Sequence, residues 1–150
     1  MFLRKIVFEF RLGFNVIALA PTNKAVLNMS ERMPKFDKGM FKTIHSAIYG
    51  PPVDGEFLRQ SAHPKPEMIY LVDEASMVSK DLYQNILDVS KKIRGKFIFL
   101  GDPYQLPPVN EKISKVFNYS TIYKIELKKV ERVKNNILLL SMRIRKSIET

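Results

Sequence analysis

The chain has 150 residues, of which 45% are hydrophobic, and a formal net charge of +10. That size and composition suit one domain with a real core, and the basic excess suits either a polyanionic partner, nucleic acid above all, or simply a well-solvated surface. With no cysteine, a disulfide framework, a thiolate metal site and a cysteine nucleophile are excluded.

The N-terminal stretch alternates charged with apolar residues and lacks the apolar core of a secretory signal. No run approaches the roughly 20 apolar residues of a membrane span. The expectation is a soluble, cytoplasmic protein, in the host cytoplasm if its source is viral. Leu3, Ile6, Val7 and Phe10 fall at helical spacing, and Gly13 closes the pattern. With no N-cap before it, this helix reads as the continuation of something upstream. Asn15–Ala20 is short and wholly apolar after its first residue, which predicts a strand buried on both faces. Thr22 is placed to cap a helix running to about Met33.

Pro34–Met40 reads as loop, and Thr43 opens a short helix to Tyr49, closed by Gly50. Asp54-Gly55 between apolar flanks predicts a hairpin, an insertion at about 50–64. Met68–Val72 is a second buried strand. Ser79 caps a helix whose core face holds Leu82, Ile86, Leu87 and Ile93, stopping near Gly95. Lys96–Leu100 is a third buried strand, Ile122–Leu127 is a candidate fourth, and a last helix carries Ile137, Leu140 and Ile144. Strands alternating with helices predict a three-layer α/β sandwich with a mainly parallel sheet.

In such sheets ligands bind at the carboxyl ends of the strands. All three confident strands end in polar loops: Ala20-Pro-Thr-Asn-Lys24, Asp73-Glu-Ala-Ser76, and Gly101-Asp-Pro-Tyr-Gln-Leu-Pro-Pro-Val109. An aspartate at a strand tip, here Asp73, can hold Mg²⁺ beside nucleotide phosphates. The adjacent Glu74 can orient or deprotonate an attacking water; two acids can also simply leave a buried strand for solvent. In the third loop Asp102 and Gln105 project after a glycine turn, and an amide both donates and accepts. The competing reading there is a rigid surface loop. His45 is either a functional group or a packed polar residue. Lys24, Lys35, Lys38 and Lys42 are either phosphate contacts or an ordinary solvated rim. Two distant histidines without cysteine do not make a zinc site.

Ala20-Pro-Thr-Asn-Lys-Ala25, Thr43-Ile-His-Ser46, Asp73-Glu-Ala-Ser76 and Gly101-Asp-x-x-Gln-Leu-Pro-Pro-Val109 stand in order and at suitable spacing. Together they resemble the motifs of superfamily 1 DNA helicases, in the RecD/Dda-like branch that includes phage enzymes. The resemblance covers nearly the whole chain and implies the first RecA-like motor domain, which hydrolyses ATP with Mg²⁺ to move on single-stranded DNA and part a duplex. It implies Asp73 as the Mg²⁺ ligand, Glu74 as base and Gln105 as the link between γ-phosphate and DNA, with Asp102 in the nucleotide site. Pro21, Thr22, Asn23, Thr43 and His45 are implied to contact single-stranded DNA, and the hairpin near Asp54 sits where relatives carry a small pin. Arg132, in Glu126-Leu-Lys-Lys-Val-Glu-Arg132, matches an arginine that reaches the nucleotide phosphates.

The P-loop sequence Gly-x-x-x-x-Gly-Lys-[Ser/Thr], which holds the β- and γ-phosphates of such motors, does not occur in the chain. The expectation is therefore a partial motor domain, lacking its first strand and P-loop and the second motor domain. A separate chain would supply either, and the alternative is a single-stranded DNA-binding remnant without turnover.

Overall fold

The computed structural model describes residues 6–7, 15–49, 68–93, 95–118 and 123–126. The chain divides into two compact units, Met1–Asn118 and Tyr119–Thr150. In the first unit four parallel strands form one sheet in the order β2-β1-β3-β4, where β1 is Asn15–Ala20, β2 Phe41–Thr43, β3 Met68–Val72 and β4 Lys96–Phe99. The helices are α1 (Asn23–Arg32), α2 (Ile44–Tyr49) and α3 (Lys80–Lys92).

The layering follows from strand parity. Val16 and Ala18 of β1 and Ile69 and Leu71 of β3 face one side. There they form one core with Met29 and Met33 at α1, with Phe41 of β2, and with Val7, which is helical and fully buried. Tyr70, Val72, Phe97 and Phe99 occupy the alternate positions of β3 and β4. On that side the Tyr83 ring of α3 meets Phe99 edge-on at 5.6 Å, and Tyr70 stacks on Phe97 at 4.8 Å. Helices thus cover both faces of a parallel sheet, the predicted three-layer α/β arrangement. Leu19, Leu71 and Val72 are fully buried, each contributing about 1.5–3 kcal/mol of apolar burial.

Both predicted helix caps are formed. Thr22 Oγ1 accepts the Ala25 N–H at 3.2 Å, and Ser79 Oγ accepts that of Leu82 at 3.2 Å. Several expectations need correction. Between the expected loop and the helix that Thr43 opens, Phe41, Lys42 and Thr43 pair with Ala18, Leu19 and Ala20 as a strand that was not expected. The predicted burial of β4 on both faces is not met, because β4 pairs only with β3 among the described residues and Phe97 to Leu100 are half-buried. The core face of α3 holds Tyr83 beside Leu82 and Ile86, while Leu87 is half-buried and Ile93 is the extended C-cap. Tyr123–Glu126, the described part of the expected fourth strand Ile122–Leu127, is exposed and forms none; apolar alternation makes a strand only where a ladder partner is at hand. The rest of the opening helix, the hairpin at 50–64 and the helix with Ile137 to Ile144 lie outside the described residues.

Candidate nucleotide and nucleic-acid edge

The chain leaves β1 toward β2 on one side and then returns to build β3 and β4 on the other. The strand order therefore reverses between β1 and β3, and open α/β sheets bind ligands at the carboxyl ends of the strands beside such a reversal. The loops singled out in the sequence all emerge there. Asp73 follows β3, and its N–H donates to Leu19 O at 2.8 Å, so it lies beside the end of β1. Thr43, the last residue of β2, pairs with Ala20 on β1's other side. Leu100 continues the ladder beyond β4 and donates to Val72 O at 2.7 Å. From β2 to β4 the edge is about 14 Å wide at the usual strand spacing. The candidate DNA-contact segments sit at the β2–β1 half, and the candidate phosphate-contact segments at the β3–β4 half.

The acid pair is held by an unusual backbone. Glu74 has φ 54° and ψ 42°, the left-handed region, which costs a non-glycine L-residue roughly 1–2 kcal/mol through its Cβ. Such conformations persist where the surroundings over-determine them. The next residues, Ala75–Met77, make one 3-10 turn, and Ala75 N–H donates to Leu100 O at 3.0 Å. Gly101 packs directly on this turn: a Cβ there would lie 2.9 Å from Ala75 N and 3.2 Å from Ser76 N. Only glycine permits that approach. The turn after β3 and the loop after β4 are thus one packed unit. Asp73 and Glu74 are both half-buried.

In the loop, Asp102 Oδ1 accepts the Tyr104 N–H at 3.1 Å, and Asp102 O accepts that of Gln105 at 3.0 Å. Asp102 thus shapes a local turn that projects Gln105, whose side chain is exposed. At the other half of the edge, Pro21 is half-buried, and Thr22 and Asn23 are exposed at the start of α1. Thr43 Oγ1 accepts the Ser46 N–H at 3.1 Å and caps α2. His45 is half-buried, with its ring 5.8 Å from that of Tyr49. Thr22 and Thr43 therefore have structural work in capping, besides whatever else they contact. Arg132 lies outside the described residues.

The sequence reading missed three features of this edge. Ser114, buried, donates its hydroxyl to Val78 O at 2.6 Å. Glu111 Oε1 accepts the Lys80 N–H at 2.8 Å. The Ser76 hydroxyl is buried and has no hydrogen-bond partner among the described residues. None of these has a local sequence signal; the nearest is Asn110, before Glu111, a residue type tolerant of the left-handed backbone it adopts at φ 63°.

The profile of the AAA domain matches residues 3–111, most of the first unit and both loops described above. The chain belongs to the AAA domain family. AAA domains are nucleotide-binding P-loop NTPases that typically work with ATP and Mg²⁺. This AAA domain is also similar to the uncharacterized protein R530 of Acanthamoeba polyphaga mimivirus, at 27% identity over 69% of the chain. It spans about a quarter (25%) of that relative's length.

Among the described residues of the AAA domain, no three acidic, histidine or cysteine groups converge as a metal cage. Mg²⁺ beside nucleotides is commonly bound by one or two carboxylates and otherwise by phosphates and water. Asp73, alone or with Glu74, fits such a role. No described helix is long and apolar enough to cross a membrane.

Proposed function

We propose that this AAA domain is part of the first motor domain of a superfamily 1 DNA helicase of the RecD/Dda-like branch. The reaction is hydrolysis of ATP coupled to movement on single-stranded DNA and duplex unwinding. The observation that carries the reading is the packing of Gly101 on the Ala75–Ser76 turn, which sets the acid pair and the Gln105 loop side by side at the carboxyl ends of β3 and β4, next to the strand-order reversal. A lone strand-tip acid pair is common; one packed against a second polar loop supports a γ-phosphate site, in which a metal-binding acid and a water-positioning residue act together.

In this reading Asp73 holds Mg²⁺, which when bound neutralises phosphate charge. Glu74 orients the attacking water and takes its proton as the water oxygen bonds the γ-phosphorus. The bond to the bridging oxygen breaks, and ADP leaves. Gln105 and Asp102 border the γ-phosphate, with the Gln105 amide donating to a phosphate oxygen and accepting from the water, and the Gln105 loop links that phosphate to the bound single strand. Arg132 stabilises the developing charge. Pro21, Thr22, Asn23, Thr43 and His45 grip single-stranded DNA at the other half of the edge, with the nearby lysines following its backbone. The β- and γ-phosphates need a Gly-Lys-Thr or Gly-Lys-Ser loop, a sequence the chain does not contain; in this reading a separate chain or segment supplies it.

The test is steady-state ATP hydrolysis by the purified chain, with and without single-stranded DNA, beside Glu74→Gln. DNA-stimulated turnover that Glu74→Gln abolishes supports the role of Glu74 and overturns the assignment of the phosphate-holding loop to a separate chain or segment. No turnover, with salt-dependent binding to single strands retained, is the result expected where that loop is decisive, and it leaves the chain by itself a DNA-binding module.

A further inference from the structure

The loop Gly101–Asn110 is fastened at both ends to one neighbouring segment. At its near end, Ala75 N–H donates to Leu100 O, and Gly101 lies against Ala75 and Ser76. At its far end, the chain comes back to the continuation of the same turn. Ser114 Oγ donates to Val78 O, and Glu111 Oε1 accepts the Lys80 N–H at 2.8 Å. Between these anchors Tyr104, Gln105, Leu106 and Val109 are exposed.

The Glu111 contact is the unusual one. It reaches 31 positions along the chain to the first residue of a thirteen-residue helix. Ser79 already serves the Leu82 N–H of that helix, so Glu111 satisfies a second of its four unpaired amides. A carboxylate there also meets the positive end of the helix dipole. The residue before it, Asn110, holds φ 63°. That left-handed turn sends the chain back toward α3.

We infer that Glu111 is a positioning residue for Gln105: it ties the far end of the Gln105 loop to the first turn of α3. The inference rests on the nucleotide and DNA reading of Gln105 given above. A loop held at one end samples many closures; one held at both ends keeps few. With both ends on the segment that carries Glu74, Gln105 stays at a fixed reach from it, as two groups acting on one phosphate must. The carboxylate does its work on a backbone amide and touches no substrate.

The test is binding of a fluorescein-labelled oligo-dT by the full chain at low salt. The proteins are wild type, Gln105→Ala, Glu111→Ala, Glu111→Asp, Glu111→Gln and the Gln105→Ala/Glu111→Ala pair, each with its thermal midpoint. Charge alone predicts tighter binding when Glu111 is neutralised, because a repelled carboxylate is removed. Positioning predicts the opposite. Gln105→Ala and Glu111→Ala each weaken binding by about three- to tenfold, a typical hydrogen bond's worth. Glu111→Asp, one methylene short, weakens it alike; Glu111→Gln, whose carbonyl still accepts, stays within about twofold of wild type. The pair binds no more weakly than Gln105→Ala alone, since the two act as one unit. Binding by Glu111→Ala and Glu111→Asp at or above wild type, while Gln105→Ala loses it, overturns the inference and leaves the reading of Gln105 standing. Losses that multiply in the pair overturn it too. If Gln105→Ala binds like wild type, the reading of Gln105 fails instead. The fastening is then decided by Tyr104→Trp, which places the single tryptophan of a chain that has none: greater acrylamide quenching in Glu111→Ala than in Glu111→Gln supports it, and equal quenching overturns it.

Discussion

The Ser114 hydroxyl and the Val78 carbonyl oxygen form a 2.6 Å hydrogen bond although 36 positions separate them, and both residues are buried. Ser114→Ala leaves that carbonyl without its side-chain donor in an apolar setting. The loss is expected to cost about 1–3 kcal/mol. A urea titration measures it, and an unchanged midpoint would show that the bond contributes nothing net.

Gly101→Ala presses a methyl onto backbone, with Ala75 N at 2.9 Å and Ser76 N at 3.2 Å. Backbone cannot turn aside as a flexible side chain would. The expected cost is about 1–3 kcal/mol, the usual scale for overpacking. The loop must move to make room, so oligonucleotide binding should fall as well. A variant of wild-type stability and affinity would sink the idea that the two loops are one packed unit.

Glu74→Gly should separate stability from activity. The left-handed backbone at Glu74 is a natural place for glycine. Relief of the strain outweighs the added chain entropy of the unfolded state by about 0.5–1 kcal/mol. The urea midpoint should rise, while ATP hydrolysis by the proposed motor should disappear with the carboxylate. A lower midpoint would mean that the Glu74 side chain itself holds the turn.

These three sites differ in how far the sequence announces them. The caps Thr22 and Ser79 and the strands 15–20 and 68–72 are legible because their causes are local: side-chain period, a capping hydroxyl, a closing glycine. β2 is not, because three residues are too few to show a period, and Phe41 becomes a strand residue only through Ala18 beside it. Tyr83 reads as a half-polar residue until Phe99 is set against its ring. The acid pair and Gln105 can be picked out as residue types, yet the left-handed turn at Glu74 and the Glu111–Lys80 and Ser114–Val78 contacts are long-range consequences of packing. The strand ends and their polar loops were legible; the fastening between those loops was not.

Thr22→Asp distinguishes capping from nucleic-acid contact. Aspartate caps about as well as threonine, so stability should hold, whereas Thr22→Ala should lose about 1 kcal/mol. The new charge should weaken single-strand binding several-fold at low salt, and the loss should shrink as salt rises. Unaltered affinity at low salt would remove Thr22 from the proposed DNA-binding surface.

The 2.8 Å bond from the Asp73 amide to Leu19 has a mechanical consequence. Behind it β1 and β3 are paired from Asn15 and Met68 up to Leu19 and Val72, and a ladder of that kind hardly stretches. Travel imposed on Asp73 along the strand direction arrives at the Pro21 end of β1 almost undiminished, with no soft joint between to absorb it. The two halves of the edge are stiffly geared: a push on one is felt at the other through two adjacent strands, and no relay of rearranging side chains is needed to carry it.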